Sequence, residues 1–448
     1  MVTAASAKKP DDEGQAAIPR QAWVSLLLLT LCYAIYALDK SVVAVVIEPL
    51  KHEFRMTDGQ VGLLTGLVST LPFLVTCIPL GMLADRVNRK WLLVALVSLW
   101  SVSTAFGGFA TSLMFLALSR AAVAAFEAGF TPLGLSILSD RFPPRRHPTA
   151  MGIFNVGPMF GVVLALSIGG MVAATYGWRW AFFLAGIPGL IMALILALVE
   201  TDPPRGAFKS AAERATVSAR PRLGEVVSAL LRSRVSIYCA AALVLCSALP
   251  NAISIWLPSF LVRVHQMPLQ QAGMAAAAIG LMMALGAGTG GIFADWLGRR
   301  DPARKLLAPI LGCSGATLLC VVGFLFVDAS LPAILLLATG GFITTFYGGV
   351  GYAFLLGNMP AAMRSTTAAI VLVVTNVLAG GLGSLLVGVV SDLSLNFAGS
   401  ASLAYGLAST LVLNLAGAGT FWLAMRQLRR QSALEPNPNL SSYGAADA

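Results

Sequence analysis

The segment GMLADRVNRK occupies residues 81–90, and a related segment, GIFADWLGRR, occupies residues 291–300, 210 positions later. Each copy follows a long apolar run and ends in basic residues. A weaker echo pairs Arg146 with Arg364, each of which also follows an apolar run. Copies at equivalent places in two halves of a chain of apolar runs indicate a parallel repeat about an axis normal to a membrane.

The composition around these segments is that of an integral membrane protein. Of 448 residues, 57% are hydrophobic and only 11% are charged, with a mean hydropathy of +0.80, which is too apolar for a soluble globular chain. Twelve segments are long enough to cross about 30 Å of hydrocarbon as helices. We predict these spans at residues 21–46, 60–84, 91–111, 113–140, 148–172, 178–200, 234–262, 269–295, 305–327, 331–358, 364–392 and 402–426.

The distribution of basic residues predicts the orientation of these spans. With the N-terminus inside, 24 of the 30 Lys and Arg residues fall on one side, and the other side keeps only Lys51, Arg55, Arg179 and Arg263. Cytoplasmic loops retain positive charge during insertion, so both termini are expected in the cytoplasm. The membrane that the chain crosses is expected to be the inner (plasma) membrane of the cell. The net charge of +10 therefore reflects topology and does not indicate nucleic-acid binding.

The domain organisation follows from where the apolar pattern stops. A stretch rich in charge, Ala and Pro separates two groups of six spans and reads as a cytoplasmic linker. We predict a cytoplasmic N-terminal tail, an N-terminal bundle, the linker, a C-terminal bundle and a cytoplasmic C-terminal tail at residues 1–20, 21–200, 201–233, 234–426 and 427–448.

The motif G-x-L-A-D-R-x-x-R-K at residues 81–90 resembles the signature loop of the major facilitator superfamily, and twelve spans around a basic linker match its layout along the whole chain. Residues 36–66, 127–161 and 256–273 look like the bacterial Spinster-like branch of sphingolipid and lysolipid transporters. The resemblance implies an all-α membrane protein of twelve helices in two pseudo-symmetric six-helix bundles. It also implies alternating access and an amphipathic anionic lipid substrate, of the lysophospholipid or sphingoid-phosphate type.

Four ionisable residues lie inside otherwise apolar spans: Asp39 and Lys40 in the first, Arg120 and Glu127 in the fourth. Buried charges of this kind usually face a bundle interior or an aqueous path. Residue counts place Asp39 and Arg120 at similar depth, so we expect an ion pair, with Glu127 nearer the midplane. Desolvation favours the protonated form of a lone Glu127, which predicts it as the proton carrier, with Asp39 competing for Arg120. A static pair that only fixes packing is the simpler alternative.

The repeated loop predicts a gate on the cytoplasmic side. Asp85 is expected to cap the N-terminus of the eleventh span near Arg364, and Arg86 and Arg89 are expected to reach Asp140. Such contacts would hold the two halves together in the outward-open state. The second copy has Trp296 where the first has Arg86, so one ion pair is expected to be missing there. The full set of gating candidates is Gly81, Asp85, Arg86, Arg89, Lys90, Asp140, Asp295 and Arg299; the alternative is that their charges only set topology.

The candidate substrate contacts combine N-terminal cations with polar and aromatic residues of a C-terminal half whose spans carry almost no charge. Individually, most of the polar residues are more often interhelical hydrogen-bond partners than ligand contacts. An apolar half facing a charged half suits an amphipathic anion. Whether Lys40 reaches the outer surface or lines the cavity is open at this stage. The candidates are Tyr36, Lys40, Arg120, Asn251, Trp256, Tyr347 and Asn376.

Other functional classes fit less well. The chain has no G-x-x-x-x-G-K-[ST] loop, which argues against ATP as the energy source. Its three histidines and six cysteines form no metal-ligand spacing, so we expect no metal, no cofactor and no enzymatic activity. We expect protons, membrane lipids and a lysolipid or small-molecule substrate as partners of a monomer. The alternatives are a proton-coupled symporter of carboxylates or sugar acids, in which Arg120 clamps the substrate, and a non-transporting scaffold or sensor.

Overall fold

The computed structural model describes residues 18–206, 208, 223–299 and 301–434, which fold into helices and turns without a β-strand. The N-terminal half contains α1 (Arg20–Phe54), α2 (Asp58–Arg86), α3 (Arg89–Gly107), α4 (Leu113–Arg141), α5 (Pro144–Tyr176) and α6 (Trp178–Val199). The C-terminal half contains α7 (Arg234–Arg263), α8 (Leu269–Leu297), α9 (Pro302–Leu325), α10 (Ser330–Gly357), α11 (residues 364–398) and α12 (Ser402–Leu434). The predicted all-α fold with twelve spans is confirmed.

Local caps set where several helices begin. The Thr57 side chain accepts the N–H of Gln60, and the Gln60 side chain accepts the N–H of Thr57, which forms a capping box at the start of α2. Asn88 accepts the N–H of Trp91 at the start of α3. Helix α1 continues past its predicted end at residue 46 and stops at Arg55, which has a φ of 50°. The last turns of such a helix are polar and extend beyond the membrane. Hydropathy therefore detects only the part of the helix that lies inside the membrane.

The two halves meet at one end of the molecule, on the side of the loops that carry Arg55 and Gln266. We call this the outer side, since the charge pattern predicts that it faces away from the cytoplasm. There the first two turns of α2 pack on the second half of α11 without intervening side chains: a Cβ on Gly62 would lie 2.5 Å from the Ser384 carbonyl oxygen. A Cβ on Gly388 would lie even closer to the backbone carbonyl oxygen of Asp58. Glycine at these positions lets the backbones approach.

The halves are apart at the opposite end, which we call the inner side. The part of α2 from Leu67 to Arg86 contains no buried residue. The facing part of α11, Arg364–Thr375, buries only Thr367 and Val371. A cavity between the halves therefore opens toward the side predicted to be cytoplasmic.

Helices α5 and α11, which are equivalent in the two halves, each contain a π-helical turn. The turn in α5 spans Ala165–Gly169, and the turn in α11 spans Asn376–Leu382. Both turns lie where these helices pass from the outer contact to the open cavity. Such turns insert a residue and bend the helix, and they are frequent at functional sites.

The predicted linker at residues 201–233 contains structure of its own. Residues 201–206 run back along the N-terminal half, and a short helix forms at Leu223–Arg232 just before α7. In this helix, valines and leucines at helical spacing give one apolar side. Residues 1–17, 207, 209–222 and 435–448, which include most of both tails, lie outside the described residues.

Candidate functional site

A buried ion pair joins α1 to α4 inside the N-terminal half. Arg120 donates from Nη1 to Asp39 Oδ1 at 2.9 Å, and the two residues are 6% and 1% exposed. The Thr104 hydroxyl donates to the other carboxylate oxygen of Asp39. The pair expected from matched depth is present, and a donor contacts each of the two carboxylate oxygens of Asp39.

Glu127 lies seven residues after Arg120 on α4 and is only 5% exposed. Its Oε1 has no hydrogen-bond partner among the residues that the structure describes. Asp39, Arg120 and Lys40 all act electrostatically on its carboxyl group. A buried charge without donors is costly, whereas a protonated carboxyl is tolerated. Of the two carboxyl groups, Glu127 is therefore the one that has an oxygen without a donor among the described residues.

Lys40 is exposed, although its neighbour Asp39 is buried. The charge of Lys40 acts on Glu127, so the two side chains lie in the same region of the N-terminal half. In this conformation Arg120 is paired with Asp39, whereas Lys40 is exposed. The contact of Lys40 with a substrate stays a prediction.

Tyr36 lies one turn before this cluster and is half-buried among aromatic rings. Its ring stacks on Phe130 with a centroid distance of 6.0 Å and meets the edge of Trp100 at 6.4 Å. It also lies within electrostatic range of Glu127. Tyr36 thus forms part of the wall next to the ionisable residues.

The C-terminal candidates divide into cavity-side and core residues. Asn251 and Asn376 are half-buried, and each donates its side-chain amide to the carbonyl four residues earlier. Tyr347 is half-buried at the edge of the C-terminal core. Trp256 is fully buried, and its indole N–H donates to Ser384 Oγ at 3.1 Å. Trp256 therefore does not line the cavity, in contrast to the prediction; a ring of this size gains more from burial between α7 and α11.

An enclosed cavity of about 60 Å³ lies where α1, α5, α7 and α8 meet. Its lining is mainly aliphatic, with two serine hydroxyls and without a charged side chain. Ser41, which follows Lys40 in α1, is one of these residues. An apolar wall thus begins directly beside the exposed cation. The other lining residues include Val162, Ile253, Ser254, Leu257 and Met283.

The inner-side motif forms only part of the predicted gate. Arg89 is 2% exposed and donates to Asp140 at 2.6 Å, as predicted. It also donates from Nε to Asp202 at 2.8 Å, a contact with the linker that the sequence did not indicate. Asp85 and Arg86 are exposed. Asp85 does not cap α11 in this conformation, because the halves are apart on this side. The cap was expected for the outward-open state and stays a prediction.

The remaining motif residues make local contacts. Gly81 has open space around it, since a Cβ there would meet no atom within 4 Å. Lys90 lies 4.9 Å from the centre of the Trp91 ring. In the second copy, Asp295 pairs with Lys305 at 2.6 Å and Arg299 is exposed. Arg300, the last residue of that copy, lies outside the described residues.

A charged cluster on the outer side joins the halves and was missed by sequence reasoning. Arg263 of α7 donates to Asp58 of α2 at 2.6 and 3.0 Å, and Lys51 and Ser391 donate to the same carboxylate. Asp392 of α11 accepts the backbone N–H of Asp58 at 2.9 Å. We call these five residues the outer cluster. The sequence shows that cations are scarce on this side, which is a signal that Arg263 could have a special role. It does not show that Arg263 pairs with Asp58, which lies 205 positions earlier.

The sequence matches the model of the Major Facilitator Superfamily over residues 29–387. The chain belongs to this superfamily. This facilitator is similar in structure to a bacterial homologue of the human lysosomal transporter Spinster, whose inward-facing and unoccupied crystal structure superposes with a TM-score of 0.85. The identity is 25%, over 92% of this chain and 98% of that one. The opening of the present cavity on the inner side agrees with that conformation.

Two relatives of this facilitator have named activities. An MFS-type efflux pump of Mycolicibacterium smegmatis is 27% identical over 92% of this chain and 94% of its own length. A D-galactonate transporter of Escherichia coli O6:H1 is 28% identical over 42% of this chain and 43% of its own length. The family and the fold together make the chain a multi-pass membrane transporter.

Proposed function

We propose that this facilitator is a proton-coupled secondary transporter that moves an amphipathic anionic lipid, of the lysophospholipid or sphingoid-phosphate type, by alternating access. The observation that carries the proposal is the buried Glu127 beside the Asp39–Arg120 pair, with Oε1 left without a partner among the described residues. A pair that only fixed packing would not need a second buried carboxyl group next to it.

Proton binding and anion binding favour each other in this arrangement. With Glu127 ionised, the charges of Glu127 and Asp39 balance those of Arg120 and Lys40. With Glu127 protonated, the cluster carries a net positive charge. An anion near Lys40 is attracted more strongly in the second state, and by linkage the bound anion favours protonation of Glu127.

The shape of the site favours an amphipathic anion. The exposed Lys40 ammonium suits an anionic headgroup, and the aliphatic lining beside Ser41 suits a hydrocarbon tail. The C-terminal wall contributes amide groups at Asn251 and Asn376 and, among the residues that the structure describes, no cation at this depth. Arg263, the basic residue at the outer end of α7, is held by Asp58. Charge on one wall and apolar surface on the other match a single-tailed lipid.

Alternating access requires that the outer cluster and the inner motif close in turn. In the inward-open state the outer cluster is formed. In the outward-open state, Asp85 would cap α11 and the outer cluster would separate. We place the inner side in the cytoplasm, with both termini there, because the basic loops lie on that side. The transporter acts as a monomer in the inner membrane, since each half supplies its own bundle.

A second candidate substrate is a small organic anion. The guanidinium of Arg120 has the fork geometry that clamps a carboxylate, and one relative transports D-galactonate. This reading requires that Asp39 release Arg120, which it holds at 2.9 Å in this conformation. The alternative of a scaffold or sensor predicts that replacement of Glu127 leaves function unchanged.

The test is transport by purified protein in proteoliposomes under an imposed pH gradient. Glu127→Gln should abolish gradient-driven uptake of a labelled lysophospholipid, while thermal stabilisation by that lipid persists, because the amide keeps the shape and removes the titrating group. Glu53→Gln is the matched control, since Glu53 is a half-exposed carboxylate paired with Arg179 away from the cluster. Wild-type pH dependence in Glu127→Gln would contradict the coupling role.

Substrate class is tested separately by thermal shift at two pH values, with lysolipids and small organic acids such as D-galactonate. Lysolipids should stabilise the wild type more at the lower pH, and Lys40→Gln should reduce that stabilisation. If only organic acids stabilise the protein, and Arg120→Lys loses that stabilisation, the second candidate substrate, a small organic anion, would be favoured.

A further inference from the structure

Helix α12 carries a basic and aromatic surface that the transport site does not use. Trp422, Arg426 and Arg430 follow at four-residue spacing, so they lie along one side of the helix, and all three are exposed. The Arg426 guanidinium lies 5.6 Å from the centre of the Trp422 ring. These residues, with Met425 and Arg429, line a surface cavity of about 410 Å³. We call Trp422, Arg426, Arg429 and Arg430 the α12 basic surface.

The position of this surface along α12 matches a membrane interface. At a rise of about 1.5 Å per residue, Arg426 lies roughly 6 Å and Arg430 roughly 12 Å beyond Trp422 along the helix axis. Tryptophan is enriched at the level of lipid headgroups, where its apolar ring and its N–H are both accommodated. If Trp422 lies at that level, the two guanidinium groups reach the phosphate layer.

The arginines of this surface differ in their protein partners. Arg429 donates to Asp301 at 3.2 Å, which anchors it to the segment before α9. Within the described part of the chain, Arg426 and Arg430 have no carboxylate partner. A guanidinium group offers two parallel N–H donors to a phosphate, which a lysine cannot do.

We propose that the α12 basic surface binds the phosphodiester of an anionic phospholipid in the leaflet at this end of the helix. Arg426 and Arg430 hold the phosphate, and the Trp422 ring packs against the glycerol region. Charge complementarity selects an anionic over a zwitterionic headgroup, because two cations without a carboxylate partner in the described part of the chain lie about one helical turn apart. This site is separate from the central cavity and does not depend on the transported substrate.

The experiment compares phosphatidylglycerol with phosphatidylcholine on delipidated full-length protein, by native mass spectrometry and thermal shift. Arg426→Gln with Arg430→Gln should bind phosphatidylglycerol about tenfold more weakly and leave phosphatidylcholine binding unchanged. Arg145→Gln with Arg146→Gln is the matched control, because these two exposed arginines lie on the same side of the molecule in the other half.

Three outcomes would overturn the proposal. An equal loss of phosphatidylglycerol binding in both variant pairs would show that Arg426 and Arg430 do not form a specific lipid site and that their charges serve only topology. Equal stabilisation by inorganic phosphate would show an anion site that does not need a lipid. Binding that appears only in a chain ending at Leu434 would identify residues 435–448 as the natural occupant.

If the Gln pair fails to insert, Arg426→Lys with Arg430→Lys keeps the charge and should still bind phosphatidylglycerol more weakly than the wild type. Unchanged binding in this Lys pair would exclude bidentate phosphate recognition.

Discussion

At the scale of single residues, the transport site depends on how four charges share one low-dielectric space. Asp39 has a guanidinium and a hydroxyl as donors, whereas Glu127 Oε1 has no partner among the described residues. The two carboxyl groups therefore differ in cost when ionised, although both are buried. This difference in hydrogen-bond partners is the basis for proposing Glu127, and not Asp39, as the proton carrier.

The Asp39–Arg120 pair predicts non-additive stability. Arg120→Gln alone should cost about 3–5 kcal/mol, because Asp39 is left buried without its main partner. The double variant with Asp39→Asn should cost less than this single variant, since no uncompensated charge remains. Thermal or denaturant unfolding of the four proteins in one detergent measures the coupling. Strictly additive losses would show that the two side chains do not interact in solution.

At the scale of helices, the outer contact between α2 and α11 is built from glycine. A Cβ on Gly62 would lie 2.5 Å from the Ser384 carbonyl oxygen and 2.8 Å from the Leu385 Cα. Backbone atoms on α11 cannot turn away as a flexible side chain could. The inward-open state therefore requires this residue to lack a side chain, whereas we expect no such requirement once the outer ends of α2 and α11 separate.

Gly62→Ala should shift the population toward the outward-open state. Overpacking of this kind costs about 1–3 kcal/mol and applies only where α2 and α11 touch. Pulsed EPR distances between spin labels at the outer ends of these helices should lengthen. Gly152→Ala in α5 is the control, because a Cβ there meets no atom within 4 Å. An unchanged distance distribution in Gly62→Ala would mean that the contact is not rigid.

At the scale of the whole molecule, two charged groups at opposite ends compete. The outer cluster joins α2, α7 and α11 in this conformation, while Asp85 on the inner side is exposed. A transporter needs both end states to be close in free energy, because a ligand shifts an equilibrium only by its differential affinity. Removal of one charged group should therefore favour the opposite opening.

Asp85→Asn and Arg263→Gln should shift the equilibrium in opposite directions. Asp85→Asn removes a charge expected to matter only in the outward-open state, so the inner ends of α2 and α11 should remain apart more often. Arg263→Gln leaves Asp58 without its bidentate partner, so the outer ends should separate more often. Spin-label distances at both ends measure the shifts, with Arg145→Gln as control. Shifts of the same sign would contradict the reciprocal gate.

The sequence by itself determined the twelve spans, the repeat, the expected orientation and the presence of four charges inside the apolar spans of the N-terminal half. These properties are local or additive: hydropathy over about twenty residues predicts a span, and loop charge predicts its direction. Even the Asp39–Arg120 pair followed from residue counts, because depth along a straight helix is proportional to position.

Only the tertiary structure decided which side chains meet across helices and which end is closed. The burial of Trp256, the exposure of Asp85, the Arg89–Asp202 contact and the outer cluster all depend on the rotation and tilt of helices distant in sequence. Rotation of a helix by one residue turns a side chain by about 100°, which hydropathy does not resolve. The choice between closed ends depends on a few kcal/mol spread over both halves, and no local pattern in the sequence records that difference.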